Sequence, residues 1–271
     1  MIRSGSPVRV SRAYAEALTA SLSERDWAIV ESVSALRILT GEQLERLHFP
    51  LLSSPRSRSV VRWRKLKRLV DARILVAFPR PGRRAGSAER CYALGAAGQR
   101  LMQVRANLAG HGHIRTPDRP GERFIEHTLA TSELSVALYE RCPLVGVAID
   151  RYLVEQAATW PVVHGMSLRP DALCVLRCWS VRDYWWIETD RATESLPTIR
   201  RKLRTYLAFV ESGQLGPDGI VPRVLFACPT EERCMAIRGE IRTLPEPASV
   251  MFCVARHDAA PGFLIRELMG T

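Results

Sequence analysis

Two apolar runs, ALCVLRC at 172–178 and YWWIETD at 184–190, stand on either side of a short polar interruption with Ser180 and Asp183 at its ends. Runs of this length, rich in β-branched and aromatic residues, read as strands, and so short a connection between them predicts an antiparallel hairpin. Folding it near Val181 sets Asp171 opposite the Glu188–Asp190 segment. Strand side chains alternate between faces, so Glu188 and Asp190 share one, and Asp171 joins them when the register allows. Three carboxylates so close repel one another, and a divalent cation such as Mg²⁺ is the usual remedy. Salt bridges to Arg169, Arg191 or Arg200 would neutralise the same acids without metal.

Around this hairpin the periodicities alternate. A helix is expected over 124–141 and strands over 145–155, 172–178 and 184–190, followed by a helix over 195–211. A strand (222–228), a helix (230–243) and a strand (249–255) complete an αβββαβαβ order. Helices and strands mixed around one sheet give an α/β sandwich.

The N-terminal third has another character. LSERDWAIVESVSALRIL (22–39) has an N-cap at Ser23 and apolar residues at helical spacing, and Thr40 with Gln43 forms a capping box for a short second helix. A third helix is expected from Ser57 to Asp71, with Trp63, Leu66 and Val70 toward the core and Arg58, Val61, Arg64, Lys65 and Arg68 outward. Strands at 74–78 and RCYAL then enclose the turn PRPGRRAGSAE. Three helices and a basic hairpin predict a winged helix-turn-helix. From Arg56 to Arg90 twelve basic residues meet two acids, so +10 of the chain's net charge of +11 sits in 35 residues. The expected partner is double-stranded DNA, with Arg58, Arg62, Arg64, Lys65 and Arg68 at the groove and Arg80, Arg83 and Arg84 on the wing. The bland alternative is a solvated basic face.

These patterns divide the chain into an N-terminal arm (1–21), a winged helix-turn-helix (22–104), a linker (105–122) rich in Gly and Pro, and a C-terminal domain (123–271). His111-Gly-His113 in the linker lacks the strand context that a His-pair metal motif needs. No run of about 18 apolar residues is present, as a membrane helix would require. Seven cysteines without a CxxC pair read as small apolar residues, and the expected location is the cytoplasm.

Pro170-Asp171 followed by Glu188-Thr189-Asp190 within this element order resembles the PD-(D/E)xK nuclease superfamily. The resemblance implies an αβββαβ restriction-endonuclease-like sandwich in which Asp171 and Glu188 hold Mg²⁺ or Mn²⁺. The family's lysine position is occupied here by Asp190. Lys202 on the next helix flanks the stripe of Leu196, Ile199, Leu203, Tyr206 and Leu207, and is the candidate replacement. The superfamily's first helix often supplies a Glu, which makes Glu133 a metal candidate, although Glu126, Glu133 and Glu140 recur every seven residues as a solvated stripe would. Glu155 is a second candidate.

A wider resemblance rests on LSERDWAIVESV, RWRKLKRLVDARIL, RCYALGAAGQRL, RPDAL, WIETDRATESLPTIRRKLRTY and RVLFACPTEERCMAIR, in that order. Together they resemble the replication-relaxation family of actinobacterial plasmids and integrative elements. The resemblance implies a DNA-binding protein acting in replication, relaxation or transfer. Its nuclease-like domain would be degenerate and serve assembly with replication or relaxosome proteins, and a homodimer is the default for symmetric binding. The alternative is an active Mg²⁺-dependent endonuclease that nicks DNA, with Asp171, Glu188, Asp190 and Lys202 as its catalytic residues. Without that activity no cofactor is expected.

Overall fold

The computed structural model describes residues 10–50, 54–82, 89–106, 120–162 and 167–270. Helix and sheet are mixed along the chain, which divides into two compact units, Met1–Ser132 and Glu133–Thr271. The division falls inside a helix, Glu122–Arg141, beyond the stretch expected as a linker. Residues 107–119 of that stretch, with His111 and His113, lie outside the described residues.

The first unit opens with helix α1 (Arg12–Ser21), where the sequence predicts only an arm. The Ser11 side chain caps it by accepting from the Tyr14 amide, and Ala15 is fully buried. Helix α2 (Glu24–Leu36) carries a complete Ser23–Asp26 capping box, and strand β1 (Leu39–Thr40) leads into α3 (Gly41–His48) through a second box made by Thr40 and Gln43. Each box satisfies two backbone N–H groups that a helix start leaves open, and so fixes where α2 and α3 begin. Helix α4 (Pro55–Asp71) precedes strands β2 (Leu75–Pro79) and β3 (Arg90–Leu94), which pair antiparallel in a small sheet of order β1-β3-β2. Helix α5 (Ala96–Arg105) then crosses so close to the Arg73–Ile74 backbone that a Cβ on Gly98 would lie 2.2 Å from the Ile74 carbonyl oxygen. GAAG therefore marks a close helix approach, where sequence periodicity predicts only a returning strand and loss of structure.

Helix α6 (Glu122–Arg141) contributes Ile125 and Leu129 to a core with Ile38 and Cys91 in the first unit. In the second unit, strand β4 (Ala148–Val154) is followed by the short pair β5 (Trp160–Pro161) and β6 (Ser167–Leu168). Next come β7 (Ala172–Cys178), β8 (Val181–Thr189), α7 (Leu196–Glu211), β9 (Arg223–Cys228) and α8 (Glu231–Arg242). Helix α9 (Ala248–Met251), β10 (Phe252–Arg256) and α10 (Ala260–Met269) end the described chain.

Five strands form one sheet in the order β10-β9-β8-β7-β4, antiparallel from β4 to β8 and parallel from β8 to β10. Trp185 and Trp186 are adjacent and both fully buried, because β8 is covered on both faces. Trp186 packs against Tyr206 and Phe209 of α7, while Trp185 meets Phe263 of α10 edge-on. Each indole contributes on the order of 3–5 kcal/mol to the fold. Helix α10, which lies beyond the last element expected from the sequence, closes the second face. No described helix is long and apolar enough to cross a membrane.

Candidate functional site

The sequence-predicted site residues fall into two groups, one in each unit. In the first unit the relevant element is α4, whose buried stripe is Arg62, Leu66 and Leu69. This is a one-residue rotation from the expected face, and it reverses two assignments. Trp63, expected in the core, is 49% exposed, and Arg62, expected outside, is 3% exposed and ion-paired with Glu45 of α3. Burying a guanidinium is tolerable only with such a partner, so Arg62 holds α3 to α4 rather than reaching a ligand.

Much of the remaining charge on α4 is also neutralised locally. Arg58 lies 3.5 Å from Glu45, and Lys67 pairs with Asp71. Lys65 lies 3.3 Å from Asp26, which Arg68 also contacts. Asp26 is fully buried; burial alone would raise its pKa, but Arg68, Ser23 and Lys65 outweigh that and hold it at about 2. One exposed stripe of α4 carries Arg56, Val60, Trp63, Arg64 and the Asp71-paired Lys67 at helical spacing. Arg56 and Arg64 make no ion pair among the described residues. Arg80 lies within 3.4 Å of Glu126, whereas Arg83 and Arg84 fall outside the described residues.

In the second unit the hairpin turns at Trp179–Ser180 and pairs Ala172 with Ile187. Asp171 therefore stands beside Glu188. Its amide donates to the Ile187 carbonyl at 2.9 Å, and its Oδ2 accepts from the Thr189 amide at 2.7 Å. Glu188 is buried and points toward α7, where Lys202 Nζ donates to Oε2 at 3.0 Å and the Tyr206 hydroxyl donates to Oε1 at 2.6 Å. Lys202 also lies 3.1 Å from Glu194 Oε2. Burial, and after it the charge of Asp171, pushes the Glu188 carboxyl up to about 7 against the opposing pull of Lys202 and Tyr206. Burial pulls the Lys202 ammonium down, yet Glu188 and Asp171 more than offset it and raise its pKa.

Asp190 does not join this pair. It shares the face of Glu188, but Arg233 at the start of α8 holds it through two bonds, Nε to Oδ2 at 2.7 Å and Nη2 to Oδ1 at 3.0 Å. Arg233 also donates to the Glu194 carbonyl at 2.8 Å. Arginine thus neutralises this acid, but from the far end of the chain. The nearer Arg200 pairs with Glu240, and Arg169 donates to Ser167. The His257 ring closes the strand end: its Nε2 lies 2.9 Å from the carbonyls of both Asp190 and Ala227, so that nitrogen carries the proton and donates. Tyr206, Arg233 and His257 are neighbours of the predicted site residues to which the sequence assigns no site role. Tyr206 had a signal, since it lies on the buried stripe of α7 one turn beyond Lys202, which flanks that stripe.

A divalent cation would need carboxylate oxygens free to coordinate it. Both Glu188 oxygens already accept hydrogen bonds, Asp190 is occupied by Arg233, and no three His, Cys, Asp or Glu side chains among the described residues group as a metal site. In this arrangement the Lys202 ammonium supplies the charge that compensates Glu188 and Asp171. Glu133 is half-buried on α6, outside any such group. Glu155 donates its amide to the Asp171 carbonyl at 3.1 Å and, with Arg169 and Asp171, lines a cavity of about 470 Å³.

Fold and sites together define a mixed α/β protein with a cationic helix face in one unit and a lysine-neutralised carboxylate pair at a sheet end in the other. The family model for replication-relaxation proteins matches residues 30–224, and the chain belongs to that family. Membership associates it with the replication and relaxation of plasmids or mobile elements. No curated protein and no solved structure matches the chain.

Proposed function

We propose that this protein binds double-stranded DNA through α4 of a winged helix-turn-helix and acts in the cytoplasm in replication, relaxation or transfer of a plasmid or mobile element. The single observation that carries this reading is the outward stripe of α4, where Arg56 and Arg64 have no ion-pair partner among the described residues. The order of three helices followed by a two-stranded hairpin supports it, since that is the element order of a winged helix. In an electrophoretic shift with a 30-base-pair duplex, Arg56→Ala with Arg64→Ala is expected to weaken binding by roughly tenfold or more, as for the loss of two hydrogen bonds to charged groups. Arg242→Ala on α8 is expected to leave it unchanged. Equal binding by the double variant and the unaltered protein would put the DNA surface elsewhere.

For the second unit we propose a nuclease-like scaffold used for assembly with replication or relaxosome proteins. A carboxylate pair already satisfied by Lys202, Tyr206 and a backbone amide supports a structural role. The convergence of Asp171, Glu188 and Lys202 also favours a second reading, an endonuclease whose lysine comes from α7. Supercoiled plasmid incubated with the protein and Mg²⁺ or Mn²⁺ is expected to stay intact. Nicking that disappears in Asp171→Ala would replace the scaffold reading with the catalytic one.

A further inference from the structure

The rotation of α4 leaves Val60 and Trp63 in solvent, 41% and 49% exposed, in the middle of the helix. They are not scattered apolar residues. Arg56, Val60, Trp63 and Lys67 fall at steps of four, three and four, and Arg64 follows Val60 by four, so two apolar side chains lie between cations on one face. The opposite face, Arg62, Leu66 and Leu69, is fixed against the body of the unit, which leaves the outer stripe free to enter a groove.

Cations flanking the stripe call for a polyanion, while the apolar centre calls for something apolar presented between its charges. Among the base edges in the major groove, the thymine C5-methyl is the one apolar group, and Val or an aromatic ring is a suitable partner for it. We infer that Val60 and Trp63 make apolar contacts with thymine methyl groups in the major groove, so that this face favours A·T-containing duplex over duplex without base methyls, while Arg56 and Arg64 bind phosphates. The inference rests on the reading of α4 as a duplex-binding helix. It adds a source of sequence preference that cations on phosphates do not provide.

The test is a fluorescence-anisotropy titration of the full chain against labelled poly(dA·dT), poly(dA·dU), poly(dG·dC) and the 5-methylcytosine form of poly(dG·dC). Uracil removes the methyl group, and 5-methylcytosine restores it at the equivalent groove position on a different backbone shape. Binding is expected to weaken about fourfold for each contacted methyl that is lost, the effect of exposing one buried methyl group. It is expected to strengthen by a similar factor on cytosine methylation. Trp63→Ala and, separately, Val60→Ala should reduce both differences while preserving salt-dependent duplex binding, and their exposed positions keep the fold intact. Equal wild-type affinity for methylated and unmethylated duplexes would overturn the inference and leave the duplex-binding reading standing. Absence of binding to any duplex would overturn that reading as well. Tighter binding to single-stranded poly(dT) than to any duplex would also overturn it, in favour of base stacking on Trp63.

Discussion

Arg233→Ala should lower the stability of the second unit by roughly 3–5 kcal/mol, the range for stranding one partner of a buried ion pair. The Asp190 side chain is only 1% exposed, and Arg233 is the residue that meets both of its oxygens. Removing the guanidinium also frees the Glu194 carbonyl and so loosens the segment between β8 and α7. Chemical denaturation followed by tryptophan fluorescence measures the loss, since Trp185 and Trp186 lie in the strand that Asp190 terminates. Asp190→Ala in the Arg233→Ala background should recover much of it, because no buried charge is then left unpaired. A loss below about 1 kcal/mol for Arg233→Ala would show that water already screens the pair.

Lys202→Ala should have the next largest effect, with a distinctive pH dependence. Glu188 has a folded pKa of about 7, above its ordinary 4.5, so the native state holds this proton more tightly than the unfolded chain does. Its contribution to stability is therefore complete below pH 4.5 and declines as pH rises through 7. Lys202 limits that decline by stabilising the ionised form. Without it, Glu188 should titrate higher, and the variant should lose at most about 3 kcal/mol at pH 8, the low end for breaking a buried pair, but much less at pH 5. The lower end is expected because Lys202 is itself a third exposed. Urea denaturation at the two pH values checks this; equal losses would mean that Lys202 contributes packing rather than charge.

Local rules made much of this molecule legible. The N-cap at Ser23 and the capping box of Thr40 and Gln43 located α2 and α3, and the polar interruption between two apolar runs located the hairpin that sets Asp171 beside Glu188. Lys202 was legible as a residue flanking the buried stripe of α7, and it does reach Glu188. What remained hidden depends on long-range partners. The phase of α4 turns on Glu45, which makes burial of Arg62 possible and sends Trp63 outward. Periodicity assigns hydrophobic residues to the core and has no means of weighing an ion pair formed seventeen residues away. Asp190 was drawn into the carboxylate group because strand alternation puts it on the same face as Glu188. Arg233, forty-three residues later, decides otherwise. Ala96–Arg105 and Ala260–Met269 contain Gly98 and Pro261, which local propensity disfavours in a helix; in the fold one permits close helix packing and the other occupies a helix start.

The most direct test of DNA binding through α4 is the dependence of duplex affinity on KCl concentration, measured for the unaltered chain and for Arg56→Ala with Arg64→Ala. Each phosphate contact contributes about 0.9 to the slope of log affinity against log salt. The double variant should therefore show a slope shallower by up to about 1.8, together with weaker binding at every salt concentration. An identical slope in the two proteins, or affinity for duplex that does not depend on salt, would contradict the account.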